Sequence, residues 1–408
     1  MSVEIRPYGD RCNLACRYCY ENYHRSHGGC RAGYDLNAIR TTVERLGTSF
    51  TLFGGEPLLM PEDDLEALLA CGLEKFGRNC IQTNGTLINE NHVRMFKQYK
   101  VDVGISIDGP GELNDLRWAG TLAKTRVRTA QTQESIERVV AAGITPCLII
   151  TLHRQNATAE RFDAMDEWLR NLDHLGIRAV RLHALQLSEP SMQERYGLTI
   201  EENIDAFLHF AHLEERDLRS LRFDVFTDIE ALLRAKDERC GCVWHACDPY
   251  ITSAVQGVEA DGSDSHCEYT EQDGINFVRC TTFGYQRYLA LYETPQECGG
   301  CHGCRFFVFC KGQCPGSAID DDWRNKSRYC ELWRRLFTHV EDRLNSRGIL
   351  PLSRHENLWY LEQEMLRHWR SGCNLTLKSV LVDMNAQYAE RQKAASQKPA
   401  LLSTQEGS

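Results

Sequence analysis

Residues 12–20 read CNLACRYCY, a stretch that places three cysteines in the order CxxxCxxC. These three thiols are one short of the four ligands that a closed zinc or iron–sulfur site takes. They can hold a [4Fe-4S] cluster through three of its irons, which leaves the fourth iron open for a further ligand. Taken alone, the stretch is also compatible with a partial zinc knuckle. The sequence around it must show what an open position would bind.

Strand-like and helix-like segments alternate on either side of this stretch. VEIRPY comes before it, and further strand-like runs follow it, separated by helical patterns: FTLFGG, CIQTNG, VDVGISID, PCLIITL and AVRLHAL. About six such units with short apolar strands predict a parallel sheet that is buried on both faces. Right-handed crossovers then favour an α/β fold, a partial (β/α)6 TIM-like barrel. In such a barrel the functional residues lie at the carboxyl ends of the strands.

The composition changes near Cys240. Eleven of the 19 cysteines lie between Cys240 and Cys330, among glycines, acidic residues and aromatic residues. We therefore expect a barrel domain over 1–239, a loop-rich domain organised by metal over 240–335, and a helical C-terminal tail over 336–408. Within the tail, ENLWYLEQEMLRHW predicts an amphipathic helix, and KPALLSTQEGS predicts a frayed end.

Charge and hydropathy exclude several classes of partner. The chain of 408 residues has a formal net charge of -10 and no basic stripe, which argues against binding to nucleic acid. It has no apolar run of the roughly 20 residues that a membrane span needs, and the charged start MSVEIRPYGD is unlike a signal peptide. We expect a cytoplasmic protein without a membrane partner, whose cysteines bind metal rather than form disulfides.

The first cysteine stretch, with the aromatic Tyr18 before its last cysteine, resembles the cluster motif of the radical S-adenosylmethionine (SAM) enzymes. The resemblance implies that Cys12, Cys16 and Cys19 bind a [4Fe-4S] cluster whose open iron chelates the amino and carboxylate groups of SAM. In that family, reduction of the cluster cleaves SAM into methionine and a 5'-deoxyadenosyl radical, which abstracts a hydrogen atom from the substrate. A reducing electron donor such as flavodoxin or ferredoxin is implied as a partner.

The motif FGGEP at residues 53–57 resembles the second motif of the family. The resemblance implies that the backbone of Gly54 and Gly55 and the side chain of Glu56 meet the methionine ammonium group of SAM. A carboxylate is a suitable partner for that charge. By itself, FGGEP is equally compatible with a tight strand-to-helix turn, because proline favours the first position of a helix.

Two further strand ends extend the resemblance. Ser106 and Asp108 in GISIDGP match the fourth-strand motif, which contacts the ribose and methionine portions of SAM. Arg117 follows at about the distance of a family arginine that meets the SAM carboxylate. Asn84 in QTNGTL lies on another rim strand, where its side chain either meets the cofactor or shapes the turn.

The C-terminal cysteine array resembles the SPASM domain, an extension that carries two auxiliary [4Fe-4S] clusters and so brings the implied total to three. One group is implied to bind the distal cluster: Cys301, Cys304, Cys310 and Cys330. A second group is implied to bind the proximal cluster: Cys242, Cys247, Cys267 and Cys314. Cys240 is the alternative to Cys242, and an open iron without this fourth ligand also fits. Zinc is the competing metal for the array, because CxxC pairs also occur in zinc ribbons.

The remaining cysteines are predicted to be small buried hydrophobic residues. They are Cys30, Cys71, Cys80, Cys147, Cys280, Cys298 and Cys373. Cys298 is the exception, because it extends the array to CGGCHGC and could substitute in a cluster.

The family resemblance implies a peptide or protein substrate. We expect a maturase that abstracts hydrogen from a ribosomal precursor peptide and forms an oxidative side-chain crosslink: a carbon–carbon cyclophane, a thioether or an ether. The alternatives are a formylglycine-forming sulfatase maturase, a small-molecule alcohol dehydrogenase and, more remotely, a zinc-binding protein without enzymatic activity. Glu268 stands where sulfatase-maturing relatives carry an aspartate base, so it is either the catalytic base or a solvated acid.

Overall fold

The described part of the chain forms one mixed α/β structure. It is a computed structural model that describes residues 2–19, 21–22, 25, 33–185, 190–244, 247, 255–267 and 285–396. Nine strands form one sheet in the order β7-β6-β5-β4-β3-β2-β1-β8-β9. The strands are β1 (Ser2–Ile5), β2 (Phe50–Leu52), β3 (Asn79–Thr83), β4 (Val101–Ser106), β5 (Cys147–Leu152), β6 (Ala179–Ala184), β7 (Arg222–Phe223), β8 (Val255–Val258) and β9 (Asp264–His266).

The first seven strands are parallel and pair in the order of the sequence, which is the topology of a partial barrel. All six predicted strands are present, and the short β7 adds a seventh. The sheet then continues past β1 to β8, which is parallel to it, and to β9, which is antiparallel to β8. The predicted α/β fold class is confirmed.

The helices cover the sheet and extend beyond it. In the barrel region they are α1 (Leu36–Leu46), α2 (Glu62–Phe76), α3 (Glu90–Gln98), α4 (Leu122–Ala141), α5 (Phe162–Leu175), α6 (Pro190–Tyr196), α7 (Ile200–Arg216) and α8 (Asp224–Leu233). The later helices are α9 (Gln286–Glu293), α10 (Phe307–Cys310), α11 (Cys330–Ser346), α12 (Leu358–Arg370) and α13 (Leu377–Ser396). Helices α12 and α13 both lie in the predicted helical tail, in which the segment ENLWYLEQEMLRHW marked α12 and no segment was singled out for α13.

Capping residues define several of these helices. The side chain of Asp35 accepts a hydrogen bond from Ala38 N at 2.9 Å and so begins α1, as predicted. Thr199 and Glu202 form a reciprocal capping box at the start of α7. Helix α4 begins at Leu122, after the N-cap Thr121, so it is longer than the predicted run SIERVVAAG.

The two faces of the parallel sheet differ in polarity. On β6, Val180 and Leu182 are buried, whereas Arg181 and His183 are exposed. Residues at alternate positions of β3, β4 and β5 follow the same pattern. The prediction of strands buried on both faces is therefore wrong. The apolar face packs under the helices, and the opposite face, called the inner face below, carries Gln82, Ser106, Thr151, Arg181 and His183.

The cysteine-rich region is joined to the barrel through the sheet. The guanidinium of Arg6, which is 1% exposed, donates to Glu4 Oε2 at 2.8 Å and to Glu259 Oε1 at 3.2 Å. It also donates to the carbonyl of His266 on β9 at 3.1 Å. This buried cation connects β1 to the β8–β9 hairpin and so places Cys267 beside the barrel. The predicted division into domains at residue 239 remains a prediction.

The C-terminal helices pack against the rest of the molecule. Trp369 is fully buried, and its ring lies 5.1 Å from the ring of Tyr288 and 5.8 Å from that of Phe307. The buried carboxylate of Asp237 accepts hydrogen bonds from the backbone N–H groups of Leu377 at 2.9 Å and Lys378 at 3.4 Å, at the start of α13. In the described part of the chain, none of the helices has the length and apolar character to cross a membrane.

Candidate active site

The N-terminal cysteine loop follows β1 and docks on the segment after β4. The N–H of Ala15 donates to the carbonyl of Trp118, and the N–H of Arg17 donates to the carbonyl of Leu116, both at 2.7 Å. Cys16 is buried, while Cys12 and Cys19 are half-buried. The backbone hydrogen bonds therefore hold all three thiols at the carboxyl edge of the sheet.

Polar groups approach the outer thiols of this loop. Cys12 Sγ accepts from Leu14 N at 3.4 Å and from Asn84 Nδ2 at 3.7 Å, and Cys19 Sγ accepts from Arg25 Nη2 at 3.6 Å. Burial raises the pKa of Cys12 to about 11, an effect that the N–H of Leu14 opposes. Donors aimed at sulfur stabilise thiolate, the form that ligates metal. The residues present therefore fit a cluster held by three thiolates.

Two glycines bring the next strand end against the cysteine loop. Gly54 has a φ of +103°, and a Cβ on Gly55 would lie 2.0 Å from the carbonyl oxygen of Arg11. The N–H of Gly55 donates to the carbonyl of Gly9 at 2.7 Å, and the N–H of Glu56 donates to that of Arg11 at 3.0 Å. Only glycine allows this approach, so the motif positions the segment that leads into the cysteines.

Glu56 is 1% exposed and binds protein donors with both carboxylate oxygens. Oε1 accepts from Leu58 N at 3.0 Å and from Thr83 Oγ1 at 2.6 Å, and Oε2 accepts from Asn84 N at 2.8 Å. Burial raises the pKa of Glu56, although these hydrogen bonds oppose the shift. A carboxylate has about four acceptor positions, so one position on Oε2 remains for a ligand.

Asn84 connects the end of β3 to the cysteine loop. Its Nδ2 donates to Asn13 Oδ1 at 2.8 Å, in addition to the contact with Cys12. Its Oδ1 accepts from the N–H of Thr86 at 2.9 Å and from Thr86 Oγ1 at 2.7 Å. The side chain therefore shapes the turn and also braces the loop of the first cysteine.

Tyr18, Asp108 and Arg117 meet in one buried network. The hydroxyl of Tyr18 donates to Asp108 Oδ2 at 2.5 Å and accepts from Arg117 Nη1 at 2.9 Å. Asp108 Oδ1 accepts from the N–H of Thr151 at 3.1 Å, and Nε2 of the buried His153 lies 3.5 Å from Asp108 Oδ2. The structure thus brings together three residues that the sequence analysis had proposed separately, and it adds His153.

The charges in this network favour an ionised Asp108. Burial by itself raises the pKa of Asp108, but the contact with His153 and the charge of Arg117 outweigh burial and hold the pKa below its usual value. Burial also raises the pKa of Tyr18, which therefore stays protonated and able to donate. The side chain of Arg117 is 12% exposed, and its Nη1 lies 4.0 Å from Asp108 Oδ1.

Ser106 lies on the inner face beside a glutamine that the sequence analysis did not select. Gln82 Nε2 donates to Ser106 Oγ at 2.8 Å. A Cβ on Gly104 would lie 2.1 Å from Gln82 Oε1, so this glycine leaves the space that the amide occupies. The two side chains form a polar pair on neighbouring strands of the inner face.

The four thiols of the predicted distal site line one cavity. They are Cys301, Cys304, Cys310 and Cys330. Aromatic side chains form much of the remaining wall: Phe306, Phe307, Trp333 and Phe337. Burial raises the pKa of Cys301 to about 12, and the nearby Cys330 and Cys304 add to that shift. Four converging thiols inside an apolar wall fit a closed [4Fe-4S] site.

Cys247 interacts with the other cysteines of the predicted proximal site. The hydrogen bond with Cys314 is the largest cause that raises the pKa of Cys247, followed by burial and by the charges of Cys314, Cys242 and Cys267. Cys240 is half-buried, and its Sγ donates to the carbonyl of Asp228 at 3.6 Å, whereas Cys242 is exposed. Which of these two cysteines is the fourth ligand stays a prediction.

The cysteines outside the predicted clusters differ in exposure. Cys71 is buried, as predicted, and Cys80 and Cys147 are half-buried. Cys373 is exposed, so its predicted burial is wrong. Cys298 is also exposed and does not line the distal cavity. Cys30 and Cys280 lie outside the described residues.

Some site residues escaped the sequence analysis. Glu268, the predicted base, lies outside the described residues, so its role stays a prediction. His153 and Thr83 were missed although each comes at the carboxyl end of a predicted strand, the position that should have selected them. Arg25 carried no such signal, because it lies six residues after Cys19, outside the predicted strands and motifs.

Residues 7–169 match the family model described as the radical SAM superfamily. The cysteine-type anaerobic sulfatase-maturating enzyme of Clostridium perfringens is 22% identical over 376 residues, which are 84% of this chain and 97% of that enzyme. The serine-type enzyme of Bacteroides thetaiotaomicron is 33% identical over 129 residues, 28% of this chain and 30% of that enzyme.

A solved structure, native anSMEcpe with bound AdoMet and the Cp18Cys peptide, superposes with a TM-score of 0.64 at 20% identity. The superposition covers 85% of this chain and 99% of that one, and it shows a shared fold. Streptococcus suis SuiB bound to S-adenosylmethionine superposes with a TM-score of 0.55 at 13% identity and covers 81% of this chain and 77% of that one. The chain is an enzyme with a radical SAM domain, and it is related to the anaerobic sulfatase-maturating enzymes.

Proposed function

We propose that this enzyme uses SAM and a [4Fe-4S] cluster to oxidise a side chain of a peptide or protein substrate. One observation carries the proposal: the cysteine loop, the Gly-Gly-Glu turn and the Tyr18–Asp108–Arg117 network meet at the carboxyl edge of one parallel sheet. When bound there, SAM and the cluster supply a 5'-deoxyadenosyl radical that takes a hydrogen atom from the substrate. The protein's part is to bind, orient and shield the reactants.

Each residue of this edge then has a defined task. Cys12, Cys16 and Cys19 hold the cluster, and Asn84 braces the loop through Asn13. The backbone of Gly54 and Gly55 approaches the methionine part of SAM, because neither residue has a side chain that would block it. Glu56 offers its remaining acceptor position to the ammonium group of SAM.

The inner face and the buried network hold the other parts of SAM. Arg117 binds the methionine carboxylate, because its guanidinium is charged at all working pH values. Nη1 donates to the hydroxyl of Tyr18, and the other N–H groups of the guanidinium can donate to the carboxylate. Asp108 keeps Arg117 and Tyr18 in place. Ser106 donates to the ribose while Gln82 occupies its lone pair.

The C-terminal thiols provide two further iron–sulfur sites, so we propose three clusters in all. The proximal group, which includes Cys242 and Cys314, and the distal cavity lined by Cys310 give the oxidised substrate a route for its electron. A reducing donor such as flavodoxin or ferredoxin would supply the electron that starts the reaction.

A peptide or protein substrate is supported by two of the comparisons. Relatives from two Clostridium species that align over 83–84% of this chain are cysteine-type anaerobic sulfatase-maturating enzymes, and a solved structure with a similar fold contains a bound peptide. A side-chain crosslink is one candidate product, because the glutamate that replaces aspartate after Cys267 weakens the case for formylglycine. Formylglycine is the second candidate, favoured by the alignment with the Clostridium perfringens enzyme over 84% of this chain.

Product analysis separates these candidates. The anaerobically purified holoenzyme is incubated with SAM, a reductant and either a sulfatase-derived peptide or a short peptide encoded beside its gene. A crosslink removes two hydrogen atoms and leaves a product that hydrazine does not modify. Formylglycine is an aldehyde and forms a hydrazone, and its formation from cysteine also exchanges sulfur for oxygen. A protein that contains zinc in place of iron, or that forms no 5'-deoxyadenosine, would contradict the proposed function.

A further inference from the structure

His183 lies on the inner face near the carboxyl end of β6. It pairs in register with Thr151 of β5, whose N–H donates to Asp108 at 3.1 Å. Its neighbours Leu182 and Ala184 point to the opposite, buried face. His183 is therefore one strand away from the network that we assign to SAM, and its side chain is exposed on the inner face.

The ring of His183 is neutral at neutral pH. The surrounding atoms of the barrel and the positive charge of Arg181 lower its pKa to about 4, and Asp108 only partly opposes that shift. The ring has no hydrogen bond to the residues that the structure describes. A neutral imidazole has one ring nitrogen with a free lone pair, which can accept a proton.

Arg181 extends the inner face toward the proximal iron–sulfur site. It lies two residues before His183 on the same face and pairs with Asp224 at 2.8 Å. Burial lowers the pKa of Arg181, but the nearby Asp224, Cys147 and Cys242 outweigh burial and raise it. The inner face thus runs from Asp108 past His183 to Arg181 and Cys242, so a substrate oxidised between the two sites would lie over His183.

Asp108, the acid that acts on the charge of His183, already binds Tyr18 and Thr151. Asp224 binds Arg181 and the N–H of Leu182 on the same strand. Both carboxylates therefore bind protein donors, and the imidazole of His183 is the acceptor that remains on this part of the inner face.

We propose that His183 contacts the substrate and accepts the proton released when the substrate radical is oxidised. This inference rests on the proposed function. The substrate C–H first gives up a hydrogen atom to the radical supplied at the SAM site. Oxidation of the remaining substrate radical would release one electron, which iron–sulfur clusters held by the C-terminal cysteines would accept, and one proton, which the imidazole accepts. In total the substrate loses two hydrogen atoms and gains one bond, which is either a double bond to the side-chain heteroatom or a crosslink.

A low basicity is compatible with this task. The cation left when a carbon radical gives up an electron is strongly acidic, so a weak base accepts its proton. General-base catalysis of this kind contributes about 100-fold or more to rate. The imidazolium formed would lie near Asp108, whose negative charge stabilises it.

The test separates hydrogen abstraction from product formation. His183→Gln holoenzyme is incubated with SAM, reductant and a peptide deuterated at the reacting carbon. Glutamine keeps a hydrogen-bonding side chain but cannot accept the proton. We expect deuterium transfer into 5'-deoxyadenosine within about twofold of wild type, while product formed per 5'-deoxyadenosine falls about 100-fold. His355→Gln, a change at an exposed histidine of the C-terminal region, is the matched control and should behave as wild type.

Four outcomes would decide against this inference or against the proposed function. If His183→Gln forms as much product per 5'-deoxyadenosine as wild type, the inference is overturned. It is also overturned if Glu268→Gln loses product and His183→Gln does not. Added imidazole should restore the product ratio in His183→Gly, whereas a loss that imidazole does not restore would assign His183 a structural role. If wild-type enzyme transfers no deuterium to 5'-deoxyadenosine, the proposed function itself fails, and His183 is not the cause.

Discussion

The N-terminal cysteine loop and the distal cysteine cavity hold thiols in contrasting surroundings. The loop has three cysteines, and polar groups from Asn84 and Arg25 reach two of their sulfurs. The cavity has four cysteines and a wall that includes four aromatic side chains. Catalytic metal sites keep one ligand position open, whereas in structural sites the protein fills every position. The three cysteines of the loop fit the first kind of site, and the four cysteines of the cavity fit the second.

The supporting elements of the two regions differ as well. The loop is held by backbone hydrogen bonds to the segment after β4 and by close contact with Gly55. The cavity is built from the turn at Cys301 and the first residue of α11, Cys330, and α11 packs on α7 and α8. We therefore expect loss of a metal from the loop to affect the core less than loss of a metal from the cavity.

The largest expected effect comes from replacing Cys12, Cys16 and Cys19 with alanine. Without its three ligands the open cluster cannot bind SAM, so 5'-deoxyadenosine formation should fall to background. Iron should fall from about 12 to about 8 atoms per chain, because two closed clusters remain. Both quantities are measured on anaerobically purified protein, by chromatography and by iron analysis. Undiminished 5'-deoxyadenosine formation would remove the loop from the chemistry.

Cys310→Ser tests the other side of the comparison. Loss of the distal cluster leaves the aromatic wall around an empty space, so Tm should fall and about 4 iron atoms per chain should be lost. SAM cleavage without substrate should persist, because the N-terminal loop is intact. Cys298→Ser, at an exposed cysteine outside the cavity, is the control and should keep its iron and its Tm. An equal loss of iron in both variants would mean that the cavity is not a specific cluster site.

A smaller effect should separate Cys242 from Cys240. Cys242→Ser removes a proposed ligand of the proximal cluster and should lower the iron content by up to about 4 atoms per chain, because three thiols hold a cluster less tightly than four. Cys240→Ser removes only a hydrogen bond to the carbonyl of Asp228 and should keep its iron. Iron analysis and electron paramagnetic resonance of the reduced proteins check both. The reverse result would make Cys240 the fourth ligand.

Much of the fold was predictable because it depends on local patterns. Short apolar runs marked six of the parallel strands, and the side chain of Asp35 marked the start of α1. Helix α13 lies in the predicted helical tail, but its bounds were not predicted, because its sequence has little amphipathic periodicity and its start is held by Asp237, which lies 140 residues away. The exposure of the inner face was also missed, because alternation in these strands mixes polar and apolar residues.

The sequence by itself determined the family chemistry and the order of the strands, because cysteine spacing and apolar periodicity are properties of neighbouring residues. Only the tertiary structure decided that Tyr18 donates to Asp108, which lies 90 residues away, and that Cys240 donates to the carbonyl of Asp228. It also decided that His183 is on the open face of the sheet. These contacts depend on how segments that are distant in the sequence pack together. A local sequence motif does not determine that packing.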